Sequence, residues 1–167
     1  MRKTFVIIFF ISILFSCNTP KSLTQTTSND STENFIQINL HESFKIGETV
    51  GIEIINITDK PLTLLNPTET YIEILEGTQW RRLKILNCPC DAPCNAPPEE
   101  MNLLPLKSNL LKWDQKERWC GEKIEQADIR KTIVKEAIAG LYRIRIHFKL
   151  EQDNEQKRVY KEFSIIP

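Results

Sequence analysis

Four cysteines carry the densest chemistry in the chain: Cys88, Cys90 and Cys94 fall within one short run, and Cys120 follows later. Three thiolates so close together could hold zinc or copper(I). Structural zinc sites, however, bring their ligands in Cys-x2–4-Cys pairs at both ends. This run reads Cys-x-Cys-x3-Cys, with no histidine in the loop. Thiol redox catalysis would use a Cys-x2-Cys that opens a helix after a strand, and that spacing is absent. An even number of cysteines reads instead as two disulfides, the use of cysteine where the compartment oxidises thiols. A Cys88–Cys90 bridge would be strained, because Pro89 alone separates the partners. Two pairings remain open: Cys88–Cys94 with Cys90–Cys120, or Cys90–Cys94 with Cys88–Cys120. Either closes a loop of about thirty residues, worth about 3–4 kcal/mol in the chain-entropy description. Pro89, Pro93, Pro97 and Pro98 stiffen the same excursion.

The remaining reactive residues form no catalytic constellation. His41 follows a strand end and His147 lies among cations, and both read as surface histidines. No Gly-x-Ser-x-Gly elbow occurs, and with 5 glycines there is no phosphate-cradling loop. Glu99, Glu100 and Glu117 read as solvated loop carboxylates. Candidates for binding are of two kinds. Arg143, Arg145 and His147, continued by Lys149, form a cationic row that could meet an anionic partner such as lipopolysaccharide or a glycan. Trp113 and Trp119 bracket residues 114–118 beside Cys120; one of them is expected to pack on a disulfide or to offer its ring to a sugar or peptide. Trp80 is expected in the core.

These residues need a frame, and residues 139–150 supply its centre. Tyr142, Ile144, Ile146 and Phe148 alternate with Arg143, Arg145, His147 and Lys149. Period two with one apolar and one cationic face describes a strand lying on a core with its back to water. A tyrosine at such a strand start can tie its hydroxyl to nearby backbone, as in the tyrosine corner of immunoglobulin-type domains. Other runs of this kind are 36–40, 49–57, 62–65, 71–75, 80–86, 109–113 and 159–165. Turn residues separate them, notably Asn56 to Pro61, Asn66-Pro67 and Glu76-Gly77-Thr78. Residues 122–139 dissent, with Ile124, Ala127, Ile133, Val134 and Ala137 partly at helical spacing. A short helix or turn near 124–131, followed by extended chain, is the expectation there. With no sustained βαβ alternation, the fold expected is all-β: an antiparallel immunoglobulin-like β-sandwich of about 7–9 strands, with a stapled Pro/Cys-rich loop.

The N-terminus says where this domain would sit. Arg2 and Lys3 precede an apolar run, Val6 to Phe15, that is too short to span a bilayer as a mature helix. The run ends in Leu14-Phe15-Ser16-Cys17, which resembles the lipobox of bacterial lipoproteins, although Phe15 is bulkier than that pattern usually carries. The resemblance implies cleavage of 1–16 and lipidation of Cys17, with two or more acyl chains making anchoring stable at about 0.8 kcal/mol per buried methylene. Asn18, where an aspartate would favour inner-membrane retention, implies the outer membrane. Residues 17–34 hold little but polar side chains and read as a flexible tether to a domain spanning 35–167. Taking away Arg2 and Lys3 leaves 20 Lys+Arg against 22 Asp+Glu. So even a balance gives no footprint for nucleic acid.

Leu-Lys-Trp-Asp-Gln (111–115), Ala-Gly-Leu-Tyr-Arg-Ile (139–144) and Glu-Phe-Ser-Ile-Ile (162–166) together are similar to uncharacterised exported β-sandwich lipoproteins. More distantly the chain resembles small proteinase-inhibitor-like bacterial sandwiches, although the inhibitory loop of that family has no identifiable counterpart here. The resemblance implies an immunoglobulin-like sandwich. The function expected is that of a membrane-anchored, non-catalytic cell-envelope lipoprotein, binding a protein or glycan through its loops, with neither cofactor nor metal. The alternative is inhibition of an envelope or secreted protease through a rigid 87–105 loop.

Overall fold

A computed structural model describes residues 34–68, 71–124, 129–151 and 155–167. Cys17, the expected signal 1–16 and nearly all of the expected tether lie outside these described residues. Among the described residues twelve strands follow one another: β1 (Ile36–Asn39), β2 (Ser43–Lys45), β3 (Val50–Asn56), β4 (Leu62–Leu65), β5 (Tyr71–Glu76), β6 (Gln79–Arg82), β7 (Glu100–Leu103), β8 (Ser108–Trp113), β9 (Lys116–Ile124), β10 (Ile129–Glu136), β11 (Gly140–Leu150) and β12 (Gln156–Ile166).

The long alternating strand β11 organises the larger sheet. It pairs with β12 along one side. On its other side β5 takes the first half, from Tyr142 to Arg145, and β4 takes the second, from His147 to Leu150. β6 and β7 extend these two branches. β2 closes the far edge and is parallel to β12, while the other ladders are antiparallel. The smaller sheet is β1-β3-β8, and β9 and β10 form a separate two-stranded ribbon.

Alternation decides which side chains meet between the sheets. Tyr142, Ile144, Ile146 and Phe148 of β11 are buried, as are Val50, Ile52 and Ile54 of β3. Trp113 of β8 crosses the gap to Tyr142, with centroids 5.7 Å apart, and to Phe163 at 6.5 Å. Two sheets packed through alternating inward residues make an immunoglobulin-like antiparallel β-sandwich, the class expected. The Tyr142 hydroxyl donates to the Ile138 carbonyl at 2.6 Å, which is the expected tie to local backbone. The 76–79 hairpin also forms as expected, closed by Gly77 at φ +63°, a conformation glycine adopts without steric cost.

Two buried amides hold the ends of the sandwich. Asn56 donates to the carbonyls of Lys60 and Leu103 and accepts from the Thr58 amide, fixing the β3–β4 turn. At the opposite end Gln115 accepts from the Gly47 amide and donates to the Lys45 carbonyl, clamping the β2–β3 turn. Buried amides with both groups satisfied avoid the desolvation cost of an orphaned polar atom.

Local expectations change in three places. Residues 129–131 belong to β10 and Ile124 to β9, so no helix occupies these positions; 125–128 lie outside the described residues. Helical spacing is overridden there by a ladder with β9 from Lys116 to Ile124, adjusted by a bulge between Arg130 and Thr132. The strand expected over 80–86 stops at Arg82, after which Leu83 and Lys84 pair singly with Ile72 and Arg118. Strands as short as β2 and β7 carry too few residues to show a period, and with β9 and β10 they raise the count of described strands to twelve.

Candidate functional site

The cysteine loop is stapled as Cys88–Cys94 and Cys90–Cys120, one of the two pairings left open by spacing. The second bridge ties the loop to β9, with its Cα atoms 5.6 Å apart. Further links fasten the same loop to β10. Asp91, at φ +58°, accepts from the Arg130 backbone amide at 2.6 Å and from its guanidinium at 2.8 Å. That guanidinium holds the Asp91 carboxyl below the usual carboxylate range. The Cys90 amide donates to Thr132 Oγ1 at 3.3 Å. Loop and ribbon are therefore one braced unit, and all four thiols are consumed in the bridges. Among the described residues no group of three His, Cys, Asp or Glu is placed to hold a metal.

A second carboxylate joins this unit to the sandwich. Glu117, on β9, accepts from both terminal nitrogens of Arg81 at 3.0 and 3.1 Å and from the Lys84 amide at 3.2 Å. Burial pushes its pKa up, yet the Arg81 and Lys84 hydrogen bonds outweigh burial and leave it lowered. A charged group kept ionised and fully bonded positions the ribbon firmly. Glu117 is not the solvated loop carboxylate expected.

Between the stapled loop and β8 lies a cavity of about 530 Å³. Ile85, Asn87 and Pro89 line one wall, and Lys112, Asp114 and Arg118 the other. Asp114 and Arg118 form a bidentate ion pair there, and this pair lowers the Asp114 pKa. The opening thus presents the Lys112 cation, the Asp114–Arg118 ion pair and the Asn87 amide beside the apolar Ile85, Leu86 and Pro89. Thr49, Thr68 and Thr132 complete the lining, so hydroxyl, amide and charged groups all reach this opening.

The tryptophans separate. Trp113, one of the two expected to contact a disulfide or a ligand, is 2% exposed, and its Nε1 donates to the Lys116 carbonyl. It is a core residue that lends only part of its ring to the cavity wall. Trp119 remains partly exposed on β9, with Lys84 Nζ 5.3 Å from its ring. Trp80, expected in the core, is only half-buried, covered by the Arg143 guanidinium at 4.3 Å.

The cationic row of β11 also differs from a free, solvated face. Glu73, directly opposite Arg143 in the ladder and buried, accepts from Arg143 Nε at 2.5 Å and faces Arg145 at 3.6 Å. Tyr160 lies 4.5 Å from Arg143, and Tyr71 is stacked on His147 at 5.4 Å. Arg143, Arg145 and His147 are thus built into a layer of aromatics around one buried carboxylate. The guanidinium charges of Arg143 and Arg145 face Glu73 rather than open solvent.

Burial lowers the His147 pKa below its ordinary 6.5, and Arg145, Arg158 and Arg82 push the same way. Because the unfolded histidine binds its proton more readily, the favourable contribution of neutral His147 is present above pH 6.5. It is lost as pH falls through the folded value. Denaturant unfolding from pH 8 to pH 5 should therefore show a decline that His147→Phe flattens. Equal slopes for both proteins would contradict this.

No family model matches the chain, and no curated protein does. Among solved structures, the chain is similar to a Listeria innocua β-glucosidase in complex with gluconolactone, at 13% identity and TM-score 0.34 over 79% of this chain. It spans only 16% of the length of that enzyme. The human CEP192 ASH/PapD-like domain 7 is matched at 11% identity and TM-score 0.35, covering 88% of this chain and 94% of that one. Likenesses this distant carry nothing about activity or partner.

Proposed function

We propose that the chain is a membrane-anchored, non-catalytic lipoprotein of the bacterial cell envelope, carried on the outer membrane by lipidated Cys17. Its sandwich binds a protein or glycan in the cavity beside the stapled loop. The observation that supports this reading best is the cavity of about 530 Å³, within the range of small-ligand sites. One of its walls is braced by two disulfides and by the Asp91–Arg130 pair. Rigid walls lower the ordering cost of binding. Trp119 and the Arg143, Arg145 and His147 layer become supporting structure in this reading.

A photo-reactive side chain in place of Lys112, at the cavity, can be compared with one in place of Leu110, two residues earlier on β8. In intact cells, position 112 should give a discrete adduct that position 110 lacks and that Arg118→Glu weakens. The same pattern at both positions, or no adduct at 112, would count against a cavity ligand.

A second reading, inhibition of a protease, has one observation in its favour. Residues 91–99 are exposed throughout, yet the bridges fix them near both Cys88 and Cys94. An inhibitor of this kind would slow envelope or secreted proteases when oxidised and lose that effect on reduction. Unimpeded proteolysis by a broad panel would remove the reading.

A further inference from the structure

We infer that the turn 104–107 is a membrane-contacting tip, dipping Leu104 and Leu106 into the headgroup boundary of the bilayer that carries the chain's own lipid. This rests on the anchored-lipoprotein reading and adds an orientation to it. Leu104 is 53% exposed and Leu106 is 77% exposed, the largest exposure among the exposed apolar side chains described, and Ile57 beside them is 41% exposed. Leu106 also sits at φ +58°, where a branched side chain is strained and glycine or asparagine would be the stable choice. A turn that keeps a leucine in a strained and fully wet position is not optimised for stability in water.

What covers the tip follows from where the chain enters the domain. The turn is tied to the end of β3: the Leu106 amide donates to the Asn56 carbonyl, and the Asn56 amide donates to the Lys107 carbonyl. One residue on, the Ile57 amide donates to the Phe35 carbonyl. Phe35 lies immediately before β1, so residues 1–33, which precede the described structure, join the sandwich at this same end. On the sequence expectation that 17–34 is a tether, a random coil of that length has a root-mean-square span of roughly 24 Å. That keeps the tip within reach of the bilayer at an effective concentration on the order of millimolar. Two leucines that would bind a membrane feebly by themselves are then held engaged. Lys107 lies in the turn itself and suits anionic headgroups. The cavity and the stapled loop lie toward the other end of β8, at Trp113 and Asp114, and so face away from the membrane.

The test uses the full, processed chain reconstituted in phosphatidylethanolamine–phosphatidylglycerol vesicles, with and without bromine on the acyl chains. Leu106→Trp places a reporter on the tip, and Ile138→Trp places one at an exposed site near the opposite end. Wild type supplies the background of the native tryptophans. The expected result is that the protein floats with the vesicles and bromolipid quenches the Leu106→Trp signal at least twofold more than the Ile138→Trp signal. Flotation with equal, weak quenching at both sites overturns the tip and leaves the anchor standing. Loss of flotation removes the anchor, and the tip with it. Quenching that depends on protein dilution rather than on bromine assigns the tip to a second copy of the chain, and also overturns it.

Discussion

Replacing Cys90 and Cys120 together by alanine should lower the unfolding free energy by about 3–4 kcal/mol, the value for a loop closed over some thirty residues. The sequence separation is 30, against 6 for Cys88–Cys94. The shorter bridge should therefore contribute less, about 2 kcal/mol on the same scale. For a domain of this size the longer bridge corresponds to a fall in Tm of roughly 10–15 °C. The effect reaches further than the melting point. Cys120 sits in the middle of β9, so without the bridge the ribbon is held to the loop by the Asp91–Arg130 pair and the Cys90–Thr132 contact. Exposed ion pairs contribute little, and loop 88–94 should become the first site of proteolytic cleavage. Calorimetry of the oxidised double variants checks the order. A larger loss from Cys88/Cys94→Ala than from Cys90/Cys120→Ala would contradict the structural role given to the longer bridge.

Trp113→Ala should cost about 3–5 kcal/mol, the usual range for emptying a large aromatic site in a core. Trp113 joins the two sheets through Tyr142 and Phe163, and its Nε1 satisfies the Lys116 carbonyl at the start of the ribbon. Truncation opens a cavity at the inter-sheet contact and removes that donor as well. Trp113→Phe should recover part of the loss, since the ring contacts survive while the hydrogen bond does not. Trp119→Ala, by contrast, removes a partly exposed ring and should cost below about 1 kcal/mol. Denaturant titration of the three variants decides the matter. Equal stability for Trp113→Ala and Trp119→Ala would mean that Trp113 does not bridge the sheets.

The contrast between these tryptophans shows what the residues disclosed by themselves. In the sequence Trp113 reads as a candidate binding residue, because Leu110 and Leu111 put an apolar side chain on each face of β8 and the strand alone does not say which face is buried. Period two exposed β11 and β3, because each alternates for long enough to be read, while the β5–β6 hairpin was legible from its turn residues Glu76-Gly77-Thr78. Cysteine count gave two bridges, but choosing between pairings needs the position of Cys120 on β9, and that depends on folding of the ribbon. Residues 124 and 129–131 misled because helical spacing is a local property, while the β9–β10 ladder is set by pairing between two strands. Glu73 escaped notice for a related reason. Its role depends on lying opposite Arg143, and a single strand does not reveal the register of its partner. The cavity was equally invisible, since its walls come from residues 85–89, 112–114 and 118.

The most direct test of the proposed function is the mass of the N-terminal peptide from protein extracted with the membrane fraction of the native cell. The result expected is a peptide that begins at Cys17 and carries a thioether-linked diacylglycerol, with a further acyl group on the new amino terminus. A peptide that still begins at Met1, or one cleaved elsewhere with Cys17 unmodified, would contradict the lipid anchor. The membrane-facing tip would fall with that anchor, and only an unanchored, disulfide-braced binding sandwich would remain.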